Sequence, residues 1–422
     1  MHTTHLVVET REIDPVEDLL AYADPGHPLA WLRRGDGIVA VGATLAEIRP
    51  PAHTGTSRLV TLATEWRAMA ARAEVSDPLG LPGTGLVAFG AFTFDDESSA
   101  DSVLAIPAQV IGRHGDRFWR TTIRFADAPG NGAPEHEEEL AVQPYGPHWA
   151  GTVGPGAQTP QGYQDSVRRA LTRIADGEVS KVVLARDLTG SIPAGSDLRR
   201  LVRALSTGYP DTWAFAVDGL IGASPETLVT VHGGTVTARV LAGTIGRGAD
   251  ADADAAASAH LASSVKDLDE HQYAVQSVLA SLRAHTRALA ASEQPFLLKL
   301  PNLFHLATDI EGELASGETA LDLVRVLHPT AAVAGTPTPA AIAAIRDLEP
   351  FDRGRYAGPV GWVDAAGNGE WAIALRCAQF TEQAEEIAVT AYAGAGIVAG
   401  SDPESELLET RVKFRPLVDA LA

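Results

Sequence analysis

The feature that most restricts this fold is a succession of apolar, β-branched runs, too short for long helices and in part linked by turns too short for crossovers. The runs are EVSKVVLARDL, WAFAVDG, TLVTVHGG, TVTARVLAGT, YAGPVGWVD, EWAIALRCAQF and IAVTAYAGAGIV. Each reads as a strand. Polar turns such as AAGNG separate the last three, and strands joined so tightly pair antiparallel, because a parallel partner needs a crossover of about a dozen residues. Between them lie segments of helical spacing. Thr159 and Pro160 form an N-cap and first turn, after which Tyr163, Val167, Ala170, Leu171 and Ile174 repeat on one face until Gly177. Residues 254–290 read as one long helix, and residues 319–327 and 339–348 as shorter ones.

Helices with one apolar stripe must cover a sheet. The expected fold is therefore α+β: large antiparallel β-sheets packed in layers, with helices on the outside. Residues 127–139 (DAPGNGAPEHEEE) and 145–160 are rich in Gly and Pro and mark two weak seams. They divide an N-terminal portion, residues 1–156, from a core, residues 157–417, within what reads as one compact domain.

Charge limits the partners. The 422 residues hold 33 Lys and Arg against 54 Asp and Glu, a net charge of −21. Such a surface repels phosphate backbones, so nucleic acid is not expected as a partner. A site for an anion must then assemble its own positive charge. The single cysteine, Cys377, excludes a disulfide framework and a thiolate metal cluster. Glu9, Arg11, Glu12, Asp14, Glu17 and Asp18 are foreign to a secretory signal, and no uncharged run reaches the roughly 18 apolar residues of a membrane span. A cytoplasmic protein without membrane contact is expected.

Three local patterns are decoys. Gly394-Ala395-Gly396 lacks the next glycine of a dinucleotide fingerprint, and Gly222-Ala223-Ser224-Pro225-Glu226 lacks the second glycine of a nucleophile elbow. Asp250, Asp252 and Asp254 imitate the start of a calcium loop without its central glycine or terminal glutamate.

Other residues have a chemical and a bland reading. Lys181 shares a strand face with Val183 and Ala185, where desolvation would favour a neutral amine and a general base; otherwise it guards an edge strand. Glu226 follows a proline-led turn, where burial would suit a general acid; otherwise it is a turn residue. Glu270 lies outside the stripe of Leu261, Val265, Leu268 and Val275, either as a magnesium ligand or paired on the surface with Lys266. In SDPESELLETRVKF, Ser401 or Asp402 caps a helix, with Ser401 and Glu404 able to form a capping box. Glu406, Glu409 and Lys413 then share one face, which could hold a hydrated magnesium ion or be a plain salt-bridged surface.

In order, the segments KVVLAR, GASPETL, LAGT, KDLDEH, LHPTAAVAGTP, GPVGWVDAAGNGEW, ALRCA, AGAGIV and SDPESELLETRVK resemble the chorismate-utilising enzymes over about residues 157–417. That family includes isochorismate synthases, salicylate synthases and the large subunits of anthranilate and aminodeoxychorismate synthases. The resemblance implies that Lys181 activates water for attack at C2 of chorismate and that Glu226 protonates the departing C4 hydroxyl. It implies Mg2+ held by Glu270 and Glu409, with Glu406 holding a water on the metal. Gly243, Thr244, Arg376, Gly394 and Lys413 match positions that bind the substrate carboxylates, and His328 and Tyr356 match pocket positions near the ring and the enolpyruvyl group.

Within the family, Lys181 stands where ammonia-using members usually lack such a base, and Ala242 stands where aminodeoxychorismate synthases usually carry a lysine. The LHPTAAVAGTP and GNGEW segments are most similar to isochorismate synthases, whose product is an isomer of the substrate. Salicylate synthase, which continues to pyruvate elimination, is the alternative; Tyr356 and Leu375 occur in both branches. A non-catalytic chorismate-binding protein would be expected to lack one of Lys181, Glu226, Glu270 or Glu409. The resemblance further implies a monomer without a glutaminase subunit, feeding menaquinone or siderophore synthesis.

Overall fold

The computed structural model describes residues 5–51, 57–126, 140–301 and 303–422, apart from the side chain of Lys266. The seam at residues 127–139 lies outside them. Two sheet arms diverge from the strand Val103–His114. One edge of that strand pairs along its length with Asp36–Ile48. Its other edge pairs with Val87–Ala91 at one end and Arg117–Phe125 at the other.

The first arm runs on from Asp36–Ile48 through Ala30–Arg33, Trp213–Val217, Leu220–Ser224, Cys377–Glu382 and Glu386–Ile397 to Lys181–Pro193. The second runs from Val87–Ala91 through Pro359–Asp364, Gly369–Ile373, Thr227–His232 and Thr235–Gly246 to Leu303–Leu314. All these pairings are antiparallel. Among the described residues the one parallel pair joins Leu6–Glu12 to Glu74–Ser76.

A continuous core joins the arms: Trp31 and Phe215 from the first, Phe89, Val229, Trp362 and Trp371 from the second. Glu370 links them across this core. Its Oε2 accepts from Trp31 Nε1 at 2.8 Å and Trp362 Nε1 at 3.1 Å, so the indole donors are satisfied where they are buried. A second core sits under the helices Arg199–Gly208 and Pro403–Leu421, which contribute Leu201, Val202, Leu205, Phe414 and Leu417. The helices Val265–Leu282 and Ala320–Leu327 pack on strands of the second arm. The layered α+β expectation holds.

Three local expectations need correction. The helix expected over residues 254–290 is two helices, Ala251–Ser263 and Val265–Leu282, followed by the strand Thr286–Ala291. The break is at Ser264, whose backbone is extended and whose hydroxyl accepts from Asp267 N at 3.3 Å. A serine side chain competes for backbone donors in this way and starts a new helix. At the C-terminus Asp402, not Ser401, caps the helix, accepting from Ser405 N at 2.9 Å. Ser401 Oγ instead accepts from Val398 N, so the Ser401–Glu404 box does not form.

The run EWAIALRCAQF is also two strands, Gly369–Ile373 in the second arm and Cys377–Glu382 in the first. The break contains Arg376, held at φ +51°. The chain therefore crosses between arms here. It also crosses at Pro225-Glu226, between Leu220–Ser224 and Thr227–His232. The two crossings are fastened together: Ser224 Oγ donates to Ile373 O at 2.6 Å, and Ile373 N donates to Glu226 O at 3.1 Å.

Ser224 is fully buried, so Ser224→Ala leaves the Ile373 carbonyl without its hydroxyl donor. The expected cost is about 1–3 kcal/mol, read as a lower urea midpoint with an unchanged m-value.

Candidate active site

At these crossings the arms enclose a cavity of about 200 Å3. It is lined by Lys181, Glu226, Gly243, Thr244, Glu270, Tyr356, Arg376, Gly394, Glu406, Glu409 and Lys413, which are all of the expected site residues except His328.

Lys181 begins the last strand of the first arm, and its outer edge is covered because Thr336 pairs with it. Its side chain is only 13% exposed, and Nζ donates to Glu270 Oε1 at 2.5 Å. The lysine is thus inside the pocket and not a guard on an open edge. A Cβ at Gly396 would stand 3.0 Å from Lys181 Cε, so the glycine leaves room for the lysine stem.

Glu270 reaches the pocket because the helix restarts at Ser264 and presents Asp267 and Glu270 in its first turns. The alternative partner, Lys266, has a side chain outside the described set. On the C-terminal helix Lys413 Nζ lies 2.5 Å from Glu409 Oε1 and donates to Gly394 O at 2.8 Å. This fixes the helix against the strand Glu386–Ile397.

Glu226 sits on one crossing and Arg376 on the other. Burial pushes the Glu226 carboxyl up to about 7, with Lys181, Arg376 and Lys413 pulling it partly back. Burial also lowers the Arg376 guanidinium, so this cation is held where an anion would relieve it. Gly243 takes φ +78° at a register shift between Ala242 and Thr244, where the strand bulges toward the pocket. Tyr356 is buried, and its ring stacks on Tyr392 at 5.2 Å.

His328 is placed elsewhere. Its ring meets Phe94 edge-on at 6.0 Å, and Nε2 lies 3.0 Å from Phe94 O. Burial pushes it down to about 4, so it is a neutral packing residue outside the lining. The histidine in the pocket is His305, which sequence reading passed over. Its Nδ1 lies 2.8 Å from Thr244 Oγ1, and Nε2 has no hydrogen-bond partner among the described residues. Burial first, then Arg376 and Lys413, hold it well below the usual histidine range, so the ring is neutral. The available signal was a lone polar ring in the apolar run NLFHLATDI.

Asp267 and Arg353 were also missed. Arg353 pairs with Glu349 at 2.6 Å in the interior and donates to Val183 O and Val333 O, tying two walls of the pocket together. Val183, Leu241, Val333 and Leu375 supply apolar wall. Among the described residues no three His, Cys, Asp or Glu side chains converge to enclose an ion by themselves. The oxygen donors of Glu270, Glu406 and Glu409 nonetheless suit magnesium, which takes one or two carboxylates and keeps water in its other positions.

The family model described as Chorismate binding enzyme matches residues 2–422. Isochorismate synthase DhbC of Bacillus subtilis (strain 168) is 44% identical over 274 residues, which cover 62% of this chain and 68% of that protein. The salicylate biosynthesis isochorismate synthase of Pseudomonas aeruginosa is 32% identical over 99% of this chain and 90% of its own length. The solved structure of MenF, the menaquinone-specific isochorismate synthase from Escherichia coli, matches with a TM-score of 0.77 at 25% identity. That match covers 99% of this chain and 95% of that one.

The raised Glu226 carboxyl makes stability depend on pH. Between its ordinary value of 4.5 and about 7 the folded state holds a proton that the unfolded state has released, so stability falls as pH rises through that window. At about 1.4 kcal/mol per unit, the wild type should lose about 3 kcal/mol relative to Glu226→Gln. Parallel denaturant melts of the two proteins from pH 4 to 8 measure this difference. Parallel curves would show that Glu226 titrates normally.

Proposed function

The chain belongs to the chorismate-binding enzyme family, and from that premise we propose that it is an isochorismate synthase, adding water at C2 of chorismate as the C4 hydroxyl leaves. One observation carries the reading: a lysine and a carboxyl raised to about 7 by burial line the same pocket.

Glu226 is the general acid. Near neutrality a substantial fraction is protonated, and that proton goes to the departing C4 oxygen. Lys181 is the general base toward the attacking water. It reaches that role when the Glu270 carboxylate turns away from Nζ, leaving the amine without its counter-charge beside Val183 and Gly396. Ala242 lines the pocket and offers no amine, so nothing there competes with water as nucleophile.

Arg376 and Lys413 bind the substrate carboxylates, with the backbone at Gly243, Thr244 and Gly394 closing around them. His305 offers its unpaired Nε2 to the same ligand, and Tyr356 lies against the ring. Glu270 and Glu409 would hold magnesium, with Glu406 holding a water on the metal, and the ion would supply positive charge to the bound dianion. The product is an isomer of the substrate, so no redox cofactor enters. The similar proteins named for menaquinone or salicylate synthesis leave either use of isochorismate consistent with this site.

The experiment is product analysis of purified protein with chorismate and magnesium, repeated with EDTA and with ammonium. Isochorismate alone is expected, lost with EDTA and indifferent to ammonium. Salicylate with equimolar pyruvate would move the chain to the eliminating branch, anthranilate on addition of ammonium would overturn water as nucleophile, and bound but unconverted chorismate would identify a non-catalytic protein.

Single substitutions separate the roles. Lys181→Ala should lower kcat by about 10²–10⁴ with chorismate affinity nearly unchanged by calorimetry. Glu270→Ala should instead weaken magnesium binding, titrated calorimetrically, together with chorismate binding. Near-normal turnover in Lys181→Ala would show that another group is the base.

A further inference from the structure

Glu226 also lines a second, much smaller cavity of about 20 Å3. Its walls are otherwise mostly apolar: Leu228, Val240, Ala274, Val278 and Ile373. Thr330 stands out among them. Its Oγ1 is buried without a hydrogen-bond partner among the described residues, while its carbonyl is fixed by Val333 N at 3.2 Å and Ala334 N at 3.0 Å. A buried hydroxyl left unpaired is costly, which favours a bound partner. The cavity is above the ~10–15 Å3 that one water needs. Arg239 also lines it; its side chain is 25% exposed and is paired with Asp309, whose carboxylate is about half exposed.

The reaction read above leaves a proton imbalance. In each turnover Lys181 gains a proton from water and Glu226 gives one to the leaving hydroxyl. Before the next turnover Glu226 must regain a proton, and the cavity shared with Lys181 is then filled by product. We propose that Thr330 is a positioning residue that holds one water in the small cavity, and that through this water Glu226 is reprotonated from the Arg239 side without crossing the substrate pocket. The step balances: the water gives one proton to the Glu226 carboxylate and takes one from solvent. Lys181 releases its proton separately through the main pocket. This assignment rests on Glu226 being the acid.

The test compares wild type, Thr330→Val and Thr330→Ser. Val keeps the shape and removes the hydroxyl; Ser keeps the hydroxyl. Thr330→Val should lower kcat about tenfold while KM stays within twofold, and should gain a larger solvent deuterium isotope effect and partial rescue by a small acid such as formic acid. Thr330→Ser should restore kcat. A high-resolution crystal structure of the wild type should show one water within hydrogen-bond distance of Thr330 Oγ1. Unchanged kcat in Thr330→Val, equal losses in Val and Ser, or a dry cavity would overturn the relay. Failure of wild type to form isochorismate would overturn the functional reading instead, and the crystallographic result would still test the water.

Discussion

The hydrogen bonds that fasten the two crossings, Ser224 Oγ to Ile373 O and Ile373 N to Glu226 O, decide where chemistry can happen in this fold. Two antiparallel arms that face each other bury their inner faces in apolar core, and a continuous core has no place for a charged ligand. Where these strands leave one arm for the other, the backbone opens. Glu226 and Arg376 are the residues at those openings, and the same bonds that hold the crossings together set the two groups in one cavity. Lys181, Glu270 and the C-terminal helix close around that opening from separate elements. The site is therefore assembled by topology, from groups far apart in sequence, and not presented on a single loop.

Much of this was legible beforehand, and the reasons differ by element. Strand type followed from β-branched runs with tight polar turns, and the helix after Thr159 from its cap and spacing; both are local signals. What the sequence could not give was where a run changes sheet. EWAIALRCAQF is uniformly apolar around Arg376, and no local signal says that its halves pair with different arms. The restart at Ser264 was legible in principle, since a serine three residues before Asp267 is a capping pattern, but the surrounding alanines favour one continuous helix.

The site followed the same division. Lys181, Glu226 and the Glu406, Glu409, Lys413 face were visible as residue types, yet each alone had an ordinary surface explanation. Burial sets Glu226 apart from that explanation and Lys181 largely so, whereas Glu406, Glu409 and Lys413 are only half-buried and Lys413 does pair with Glu409; burial is a tertiary property. His328 and His305 illustrate the limit: desolvation lowers both rings, so both are neutral histidines. Each keeps one ring nitrogen without a partner among the described residues, and only three-dimensional placement puts His305 in the pocket lining and His328 against Phe94.

Charge in the pocket then restricts what can bind there. Lys181, Arg376 and Lys413 face Asp267, Glu270, Glu406 and Glu409, with Arg353 already neutralised by Glu349. With Glu226 protonated, that is three cations against four carboxylates, a net of −1 before any ligand enters. A dianion brought into such a place would meet repulsion on balance, whatever its individual contacts with Arg376 and Lys413. The lysines are, moreover, partly engaged, Lys181 by Glu270 and Lys413 by Glu409. A divalent cation held by Glu270 and Glu409, as the proposed reading has it, would reverse both limits at once. It would bring the net to +1 with Lys181 protonated, or to 0 with Lys181 as the neutral base, and it would draw the two carboxylates off the two lysines. On the proposed reading, the acidic lining would make binding of the anion depend on the metal, and metal uptake would free Lys181, the proposed base.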